Sequence, residues 1–344
     1  MAQTPFERLR EAMCGYMQTS ILAAAAELDF FTLILESENR LGASELAAKS
    51  QCDPRGTTVV LDALAALGYL HKSRAAGNVT YSVTDEYKTY LDSRHPDTFV
   101  PMMRHMACGQ RTWARLTWSL KNGKPQPGQA SILGEEQDKT SFIMGMNSTA
   151  VRLVGGTISS MKKAGIFTFG KDEAKLLDIG GASGTYAEAF LNELPRSRAT
   201  IFDRPVGIAQ AQKRFSGSAM EDRVTLITGD FMLDTLPGGF DFAWISAIIH
   251  QMNRGESRRL YRNAQQALNP GGIVAVRDYV MSGERTFPKD GAVFGVNMFV
   301  NTDSGMVYTF EEIREDLEDA GFIEVRHAVP APNMSAIVTA RKPG

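Results

Sequence analysis

Four residues in the second half of the chain, Asp178, Asp203, Asp230 and His250, each stand just past a short apolar run. As a set they have the chemistry to grip a cationic nucleoside and to take up a proton. Asp178 opens the stretch Asp178-Ile179-Gly180-Gly181-Ala182-Ser183-Gly184, which lies between the apolar pair Leu176-Leu177 and the helix-like Thr185–Leu194. Strand, glycine turn and helix is the layout of a nucleotide-type cofactor site, because glycine lets backbone approach a ligand closely. A pyrophosphate-binding turn spaces its glycines as G-x-G-x-x-G and places the phosphates on the helix N-terminus. Here the second glycine comes one place early, and Asp178 would meet a phosphate with like charge. A carboxylate at that point suits a cofactor with a cationic end and no phosphate. S-adenosylmethionine, with its ammonium and sulfonium, has that chemistry.

The elements that must hold these groups follow in order. Ala199–Phe202 is a second strand-like run ending at Asp203, nineteen residues beyond Gly184. An acid at that distance can accept hydrogen bonds from both ribose hydroxyls. Val224–Ile227 is a third run, followed by Gly229-Asp230-Phe231, where a carboxylate and a ring can hold the amine and the face of adenine. Phe240–Ile245 is a fourth, leading through Ser246, which is counted with the cofactor residues, to His250. Gly272–Tyr279 is a fifth, introduced by the turn Asn269-Pro270-Gly271. Amphipathic segments such as Glu256–Leu268 lie between. Open α/β sheets bind ligands beyond the carboxyl ends of their strands, so the four groups are expected along one edge.

These residues carry a resemblance. Leu176 to Lys342 resembles a class I S-adenosylmethionine-dependent methyltransferase, and the whole chain resembles the plant-type small-molecule O-methyltransferases and their bacterial relatives. That family includes caffeate, hydroxyneurosporene and antibiotic-tailoring enzymes. The motifs are LLDIGGASG at 176–184, ATIFDRP at 199–205, LITGDFM at 226–232, HQMNRGES at 250–257, ALNPGGIVAVRDYVM at 267–281 and YTFEEIREDLEDAGF at 308–322. The resemblance implies a Rossmann-like α/β fold with a seven-stranded methyltransferase sheet. It also implies an N-terminal, mostly helical winged-helix domain that makes a homodimer. S-adenosylmethionine would be the methyl donor and S-adenosylhomocysteine the product, with Gly180, Gly181 and Gly184 beside the acids in the cofactor set.

Composition agrees with such an enzyme. At 344 residues, two domains are expected. The net charge of −2 gives no electrostatic footprint for nucleic acid or an anionic membrane. The three cysteines, Cys14, Cys52 and Cys108, are far apart and lack metal-ligand spacing, and no metal site is expected. There is no signal-like N-terminus and no run of ~20 apolar residues, so the expected location is cytoplasmic.

The organisation expected is a winged-helix dimerisation domain over 1–97, a helical pocket-wall segment over 98–161 and the cofactor-binding domain over 162–344. In the first, Met17–Leu35 is apolar on nearly every face, which predicts a helix buried in a core or against a partner chain. Asp53–Leu67 is a helix begun by an Asp-Pro pair, and Tyr69–His71 with Val79–Val83 flank the turn Ala75–Asn78 like a wing. This arrangement also fits a DNA-binding regulator. A recognition helix needs Arg, Lys, Asn or Gln for bases and phosphates, and Asp53–Leu67 offers only Arg55. In the middle segment Met102, Met103, Met106, Trp113, Trp118, Phe142, Met144 and Met146 recur at helical spacing. Core packing accounts for most of them. The resemblance places the acceptor pocket wall here, so Trp113, Phe142 and Met146 are expected to line it, with Met298 and Thr302 from further on. Ile143 stands where the family has a polar residue, which predicts a more apolar site than a caffeate enzyme's.

His250 is the expected general base. Histidine titrates near neutrality, and a phenolic acceptor with a pKa of about 10 must lose its proton on transfer. His71, His95, His105 and His327 lie outside the strand-end motifs. The resemblance puts the family's base at His250, but the acid that commonly follows it is Gln251 here. A second family glutamate maps onto Val307. That leaves one carboxylate to orient the base, Asp278, unless the neighbouring Arg277 occupies that place. The expected reaction is methyl transfer from S-adenosylmethionine to a hydroxyl of a small, largely apolar, aromatic metabolite. The alternatives are C-methylation, a non-methylating offshoot of the fold, and the winged-helix regulator.

Overall fold

A computed structural model describes residues 3–75, 77–168 and 173–344. The N-terminal elements are α1 (Pro5–Glu27), α2 (Phe30–Glu36), α3 (Ala43–Ser50), α4 (Pro54–Ala66), the hairpin β1 (Leu70–Ala75) with β2 (Asn78–Val83), and α5 (Lys88–Leu91). Three further helices follow: α6 (Val100–Trp113), α7 (Leu116–Asn122) and the long α8 (Glu135–Lys163). The remainder alternates strand and helix: β3 (Lys175–Ile179), α9 (Thr185–Glu193), β4 (Arg198–Asp203), α10 (Pro205–Phe215), β5 (Val224–Thr228), β6 (Phe240–Ser246), α11 (Arg254–Ala267) and β7 (Leu268–Asp278). It closes with β8 (Val280–Met281), α12 (Lys289–Asn301), β9 (Tyr308–Thr309), α13 (Phe310–Asp319), β10 (Ile323–Val329) and β11 (Ala336–Arg341).

Two compact units result. The first comprises Met1–Ala114 with Gly128–Ser148, and the second comprises Arg115–Pro127 with Thr149–Gly344. The stretch 98–161 is thus shared between them, residues 98–114 and 128–148 belonging to the first.

In the first unit, helix starts are written locally. Thr4 and Glu7 form a reciprocal capping box on α1, and Asp53 caps α4 with Pro54 at its first position. Phe30, Phe31, Ile34, Leu46, Leu61, Leu64 and Tyr81 fill the core between the helices and the hairpin. The single helix expected over Met17–Leu35 is corrected on one count. It is broken between α1 and α2 at Asp29, which adopts a left-handed conformation (φ 57°) that aspartate tolerates because its side chain bonds locally. Its carboxylate accepts a hydrogen bond from Thr32 Oγ1 at 2.7 Å. Within α1, Ala23, Ala25 and Ala26 are buried, whereas Phe6, Leu9, Met13, Tyr16 and Met17 are all at least 49% exposed. Their spacing of three and four residues places them on one stripe of α1.

In the second unit a seven-stranded sheet runs in the order β10-β11-β7-β6-β3-β4-β5. β3 to β7 are parallel, β11 runs antiparallel to β7, and β10 antiparallel to β11. The chain steps outward from β3 through β4 to β5, then returns to β6 on β3's other side. The β3–β6 boundary is therefore the topological switch point, where such sheets open a ligand crevice. β6 is apolar on both faces because both are covered, with Phe242, Trp244 and Ile245 wholly buried. One face packs Tyr186, Phe190 and Trp244, the other Ile179, Leu260, Tyr261 and Leu317. Among the described residues no single helix is long and apolar enough to cross a membrane.

Candidate active site

The glycine turn leaves β3 at the switch point. Gly180 and Gly184 have positive φ (69° and 76°), so any other residue would be strained there. Space is equally restrictive. A Cβ on Gly180 would meet the Ile248 side chain at 2.5 Å, one on Gly184 the Phe215 ring at 2.5 Å, and one on Gly181 the Asp178 carboxylate at 2.6 Å. Arg214 of α10 clasps the turn from outside, its Nε donating to the Ser183 carbonyl at 2.8 Å and its Nη2 to Thr185 Oγ1 at 3.0 Å.

Asp178 is buried at 3% exposure, and its Oδ2 has no hydrogen-bond partner among the described residues. Burial first, and the nearby Asp203 charge second, push its pKa up to about 7. Asp203 closes β4 and ties the crevice together: Oδ2 accepts from the Ala182 amide at 2.7 Å and Oδ1 from the Arg204 amide at 2.6 Å. Burial raises its pKa also, against those two amides. Each oxygen keeps a lone pair for a further donor. Gly207 has to be glycine here, since a Cβ would meet the Asp203 carboxyl carbon at 2.6 Å. Asp230 folds its own loop, accepting from the Met232 amide at 2.9 Å, and its Oδ2 lies 3.7 Å from Arg204 Nε. Phe231 is only 8% exposed and packs in the core cluster beside Gly180. Ser246 ends β6 and accepts from Arg277 Nη1 at 3.0 Å.

His250 sits in a short turn after β6, 5% exposed, two residues past the Ile248 that covers Gly180. Its Nδ1 lies 2.9 Å from both Asp278 oxygens. Asp278, and not Arg277, therefore faces the imidazole, because alternation along β7 sends neighbours to opposite faces. An acceptor at that position assigns the proton to Nδ1 and leaves Nε2 as the basic nitrogen. The Tyr279 amide donates to Asp278 Oδ1 at 2.8 Å, fixing the carboxylate. Phe294 of α12 packs edge-on against the imidazole, centroids 4.9 Å apart and planes at 90°.

The residues expected to bind the acceptor are less gathered. Met298 is buried, while Thr302 is half-buried and spends its hydroxyl on the backbone, donating to the Met298 carbonyl at 2.7 Å and accepting from the Gly305 amide at 2.9 Å. A groove of about 430 Å³ runs beside α12, lined among others by Ala292, Gly295, Phe299, Thr302 and Met306, with Lys124 and Arg285 at its polar side. Met298 does not line it. In the first unit Trp113 ends α6, and Phe142 and Met146 are 44% and 39% exposed on α8, one turn apart. The Phe142 ring stands edge-on to His105 at 4.9 Å.

Sequence reasoning missed Phe294, Arg214 and Gly207. Only Gly207 left a usable signal, a glycine in the first turn of a helix that starts two residues after Asp203.

This geometry is matched by kinship. Residues 129–323 fit the model of the O-methyltransferase domain, and residues 10–93 fit the O-methyltransferase dimerisation domain. The chain belongs to the O-methyltransferase family. It is 32% identical over 346 residues to the tetracenomycin polyketide synthesis 8-O-methyl transferase TcmO of Streptomyces glaucescens, across 98% of this chain and 97% of that one. It is 28% identical to the 3-hydroxy-5-methyl-1-naphthoate 3-O-methyltransferase of Streptomyces sahachiroi, across 92% and 90% of the two chains. Human N-acetylserotonin methyltransferase, solved in complex with SAM, shares the fold with a TM-score of 0.81 at 23% identity, across 100% and 99% of the two chains.

The protein is an S-adenosylmethionine-dependent O-methyltransferase. Its crevice has the chemistry for that donor: a buried, orphaned carboxylate oxygen on Asp178 that would suit an ammonium, and open lone pairs on Asp203 that would suit hydroxyls. A methyl group on a sulfonium, ready for in-line attack by oxygen, is what the cofactor supplies when bound.

Proposed function

We propose that this enzyme methylates a hydroxyl of a small, apolar, fused-ring or otherwise aromatic metabolite, with His250 as general base. The observation that carries the reading is the buried His250–Asp278 pair, with Nδ1 held at 2.9 Å and Nε2 left unpaired among the described residues, two positions beyond the residue that covers the glycine turn. Nε2 takes the hydroxyl proton as the oxygen attacks. Asp278 keeps the ring in the right tautomer and stabilises the imidazolium that forms. Holding acceptor oxygen and methyl carbon near ~3 Å supplies about 7–11 kcal/mol of the barrier, and the base a further ~10²–10⁴-fold. Asp178, Gly180, Gly181, Gly184, Asp203, Asp230, Phe231 and Ser246 form the cofactor set in this reading. The names of two relatives, a polyketide enzyme and a naphthoate enzyme, support a polycyclic phenol as acceptor.

Trp113, Phe142, Met146, Met298 and Thr302 are proposed to select the acceptor. Met298 would act from beneath the surface, by shaping α12. Methyl transfer to a panel of naphthols, hydroxyquinones and hydroxycinnamates tests the substrate class. Polycyclic phenols should be the best acceptors, and a clear preference for hydroxycinnamates would contradict it.

The same reading makes the protein a homodimer. The dimerisation-domain match and the exposed stripe Phe6, Leu9, Met13, Tyr16 and Met17 support it. Light scattering at low micromolar concentration should give twice the chain mass, and the double substitution Leu9→Glu with Met13→Glu should lower it toward one chain.

A further inference from the structure

Arg277 is the penultimate residue of β7, on the face opposite Asp278, and is only 4% exposed. Parallel pairing sets it level with Ser246, whose hydroxyl accepts from Nη1 at 3.0 Å. Its guanidinium carbon lies 5.4 Å from the centre of the Tyr186 ring. Among the described residues no carboxylate lies within ion-pair distance of it, and its buried Nε has no hydrogen-bond partner. Buried charges are kept in folded proteins where something pairs them, so an arginine in this state is waiting for an anion.

Its neighbours are in the same condition. Among the described residues the Tyr186 hydroxyl and the Trp244 indole N–H are buried without partners, and their rings lie 5.2 Å apart. Trp244 is level with Asp178 in the sheet and shares its face, as does Ser246 two residues on. Asp178 Oδ2 is likewise buried and orphaned. One face of the sheet beside the glycine turn thus carries an unsatisfied acid on β3 and an unsatisfied base on β7. Only β6 separates them, so they are about 10 Å apart across the strands and offset by two residues along them. An acid and a guanidinium set across that gap are complementary to an α-amino acid, whose ammonium and carboxylate share one carbon.

We propose that Arg277 receives the carboxylate of the methionyl end of S-adenosylmethionine, opposite Asp178 at the ammonium, and that Ser246 aims the guanidinium. Ser246 then contributes to the cofactor site through Arg277. The proposal rests on the cofactor lying against the glycine turn as read above. Asp203→Ala tests that placement separately: an unchanged affinity there would fault the placement and not Arg277.

The test is calorimetric titration of the wild type, Arg277→Met and Arg277→Lys with two ligands. One is S-adenosylhomocysteine; the other is its decarboxylated analogue, which keeps the amine and lacks the carboxylate. Wild type should prefer the carboxylated ligand by about 10- to 150-fold, the worth of a hydrogen bond to a charged group. Arg277→Met should shrink that preference to within about threefold, and Arg277→Lys should retain most of it. Equal weakening of both ligands by Arg277→Met, or a preference that survives it, would overturn the proposal. If Arg277→Met fails to fold, the wild type still decides: equal affinity for the two ligands would also overturn it.

Discussion

The glycine crevice and the α12 groove lie in the same unit and are built by opposite means. At the crevice, backbone conformation and packing leave little choice: Gly180, Gly181, Gly184 and Gly207 each have a neighbour where a Cβ would go, and Asp203 is tied by two amides. At the groove, side chains on a helix and its following loop make the wall, and Phe299 and Thr302 remain half-buried. The difference separates a part that must be the same for every acceptor from a part free to vary with it. His250 belongs to the first by its burial and its carboxylate partner, although it would act on the acceptor.

The largest effect expected is at the base. His250→Ala should lower kcat by ~10²–10⁴ in steady-state assays while leaving S-adenosylhomocysteine affinity nearly unchanged. Asp278→Asn should cost less, since it removes the group that orients the ring and keeps the nitrogen that takes the proton. Next comes the crevice itself. Asp203→Ala should weaken cofactor binding by about 1.5–3 kcal/mol in calorimetry, as a charged hydrogen-bond acceptor is lost. Gly184→Ala should destabilise the fold by about 1–3 kcal/mol in urea, because the added methyl meets Phe215 and the backbone is left-handed. Phe299→Leu in the groove should stay within about 1.5 kcal/mol yet reorder acceptor preference. Equal stability losses at the two positions would remove the distinction between the regions.

A smaller effect comes from pH. The Asp178 carboxyl, held up at about 7 by burial and by Asp203, favours its protonated form in the free enzyme. A raised acid stabilises the fold most below its unfolded value near 3.8, and that contribution is lost as pH rises toward 7. A ligand ammonium reverses the preference. Cofactor affinity should therefore rise by up to about tenfold per unit on approaching pH 7 from below, and level off above it. Asp178→Asn should flatten that dependence.

The sequence announced the crevice because its signals are backbone signals. A tight turn between strand and helix needs glycine, and acids at strand ends fall on one edge once the strands are parallel. The pairing of His250 with Asp278 was legible to within one residue, and strand alternation decides between 277 and 278. What could not be read depends on how helices settle against the sheet. The edge of Phe294 on the imidazole, the reach of Arg214 to the turn and the burial of Met298 below the groove all follow from tertiary register. The break at Asp29 was hidden for another reason: an apolar run on both sides masks one residue able to turn left-handed.

The central claim is that His250 removes the acceptor proton, and the pH dependence of single-turnover methyl transfer in His250→Ala tests it most directly. With the cofactor site saturated and a phenolic acceptor, the residual rate should climb with pH as solvent ionises the acceptor, and approach the wild-type rate only near the acceptor's own pKa. A variant that matches the wild type at neutral pH, with the same flat profile, would show that His250 is a packing residue and that the acceptor arrives ionised.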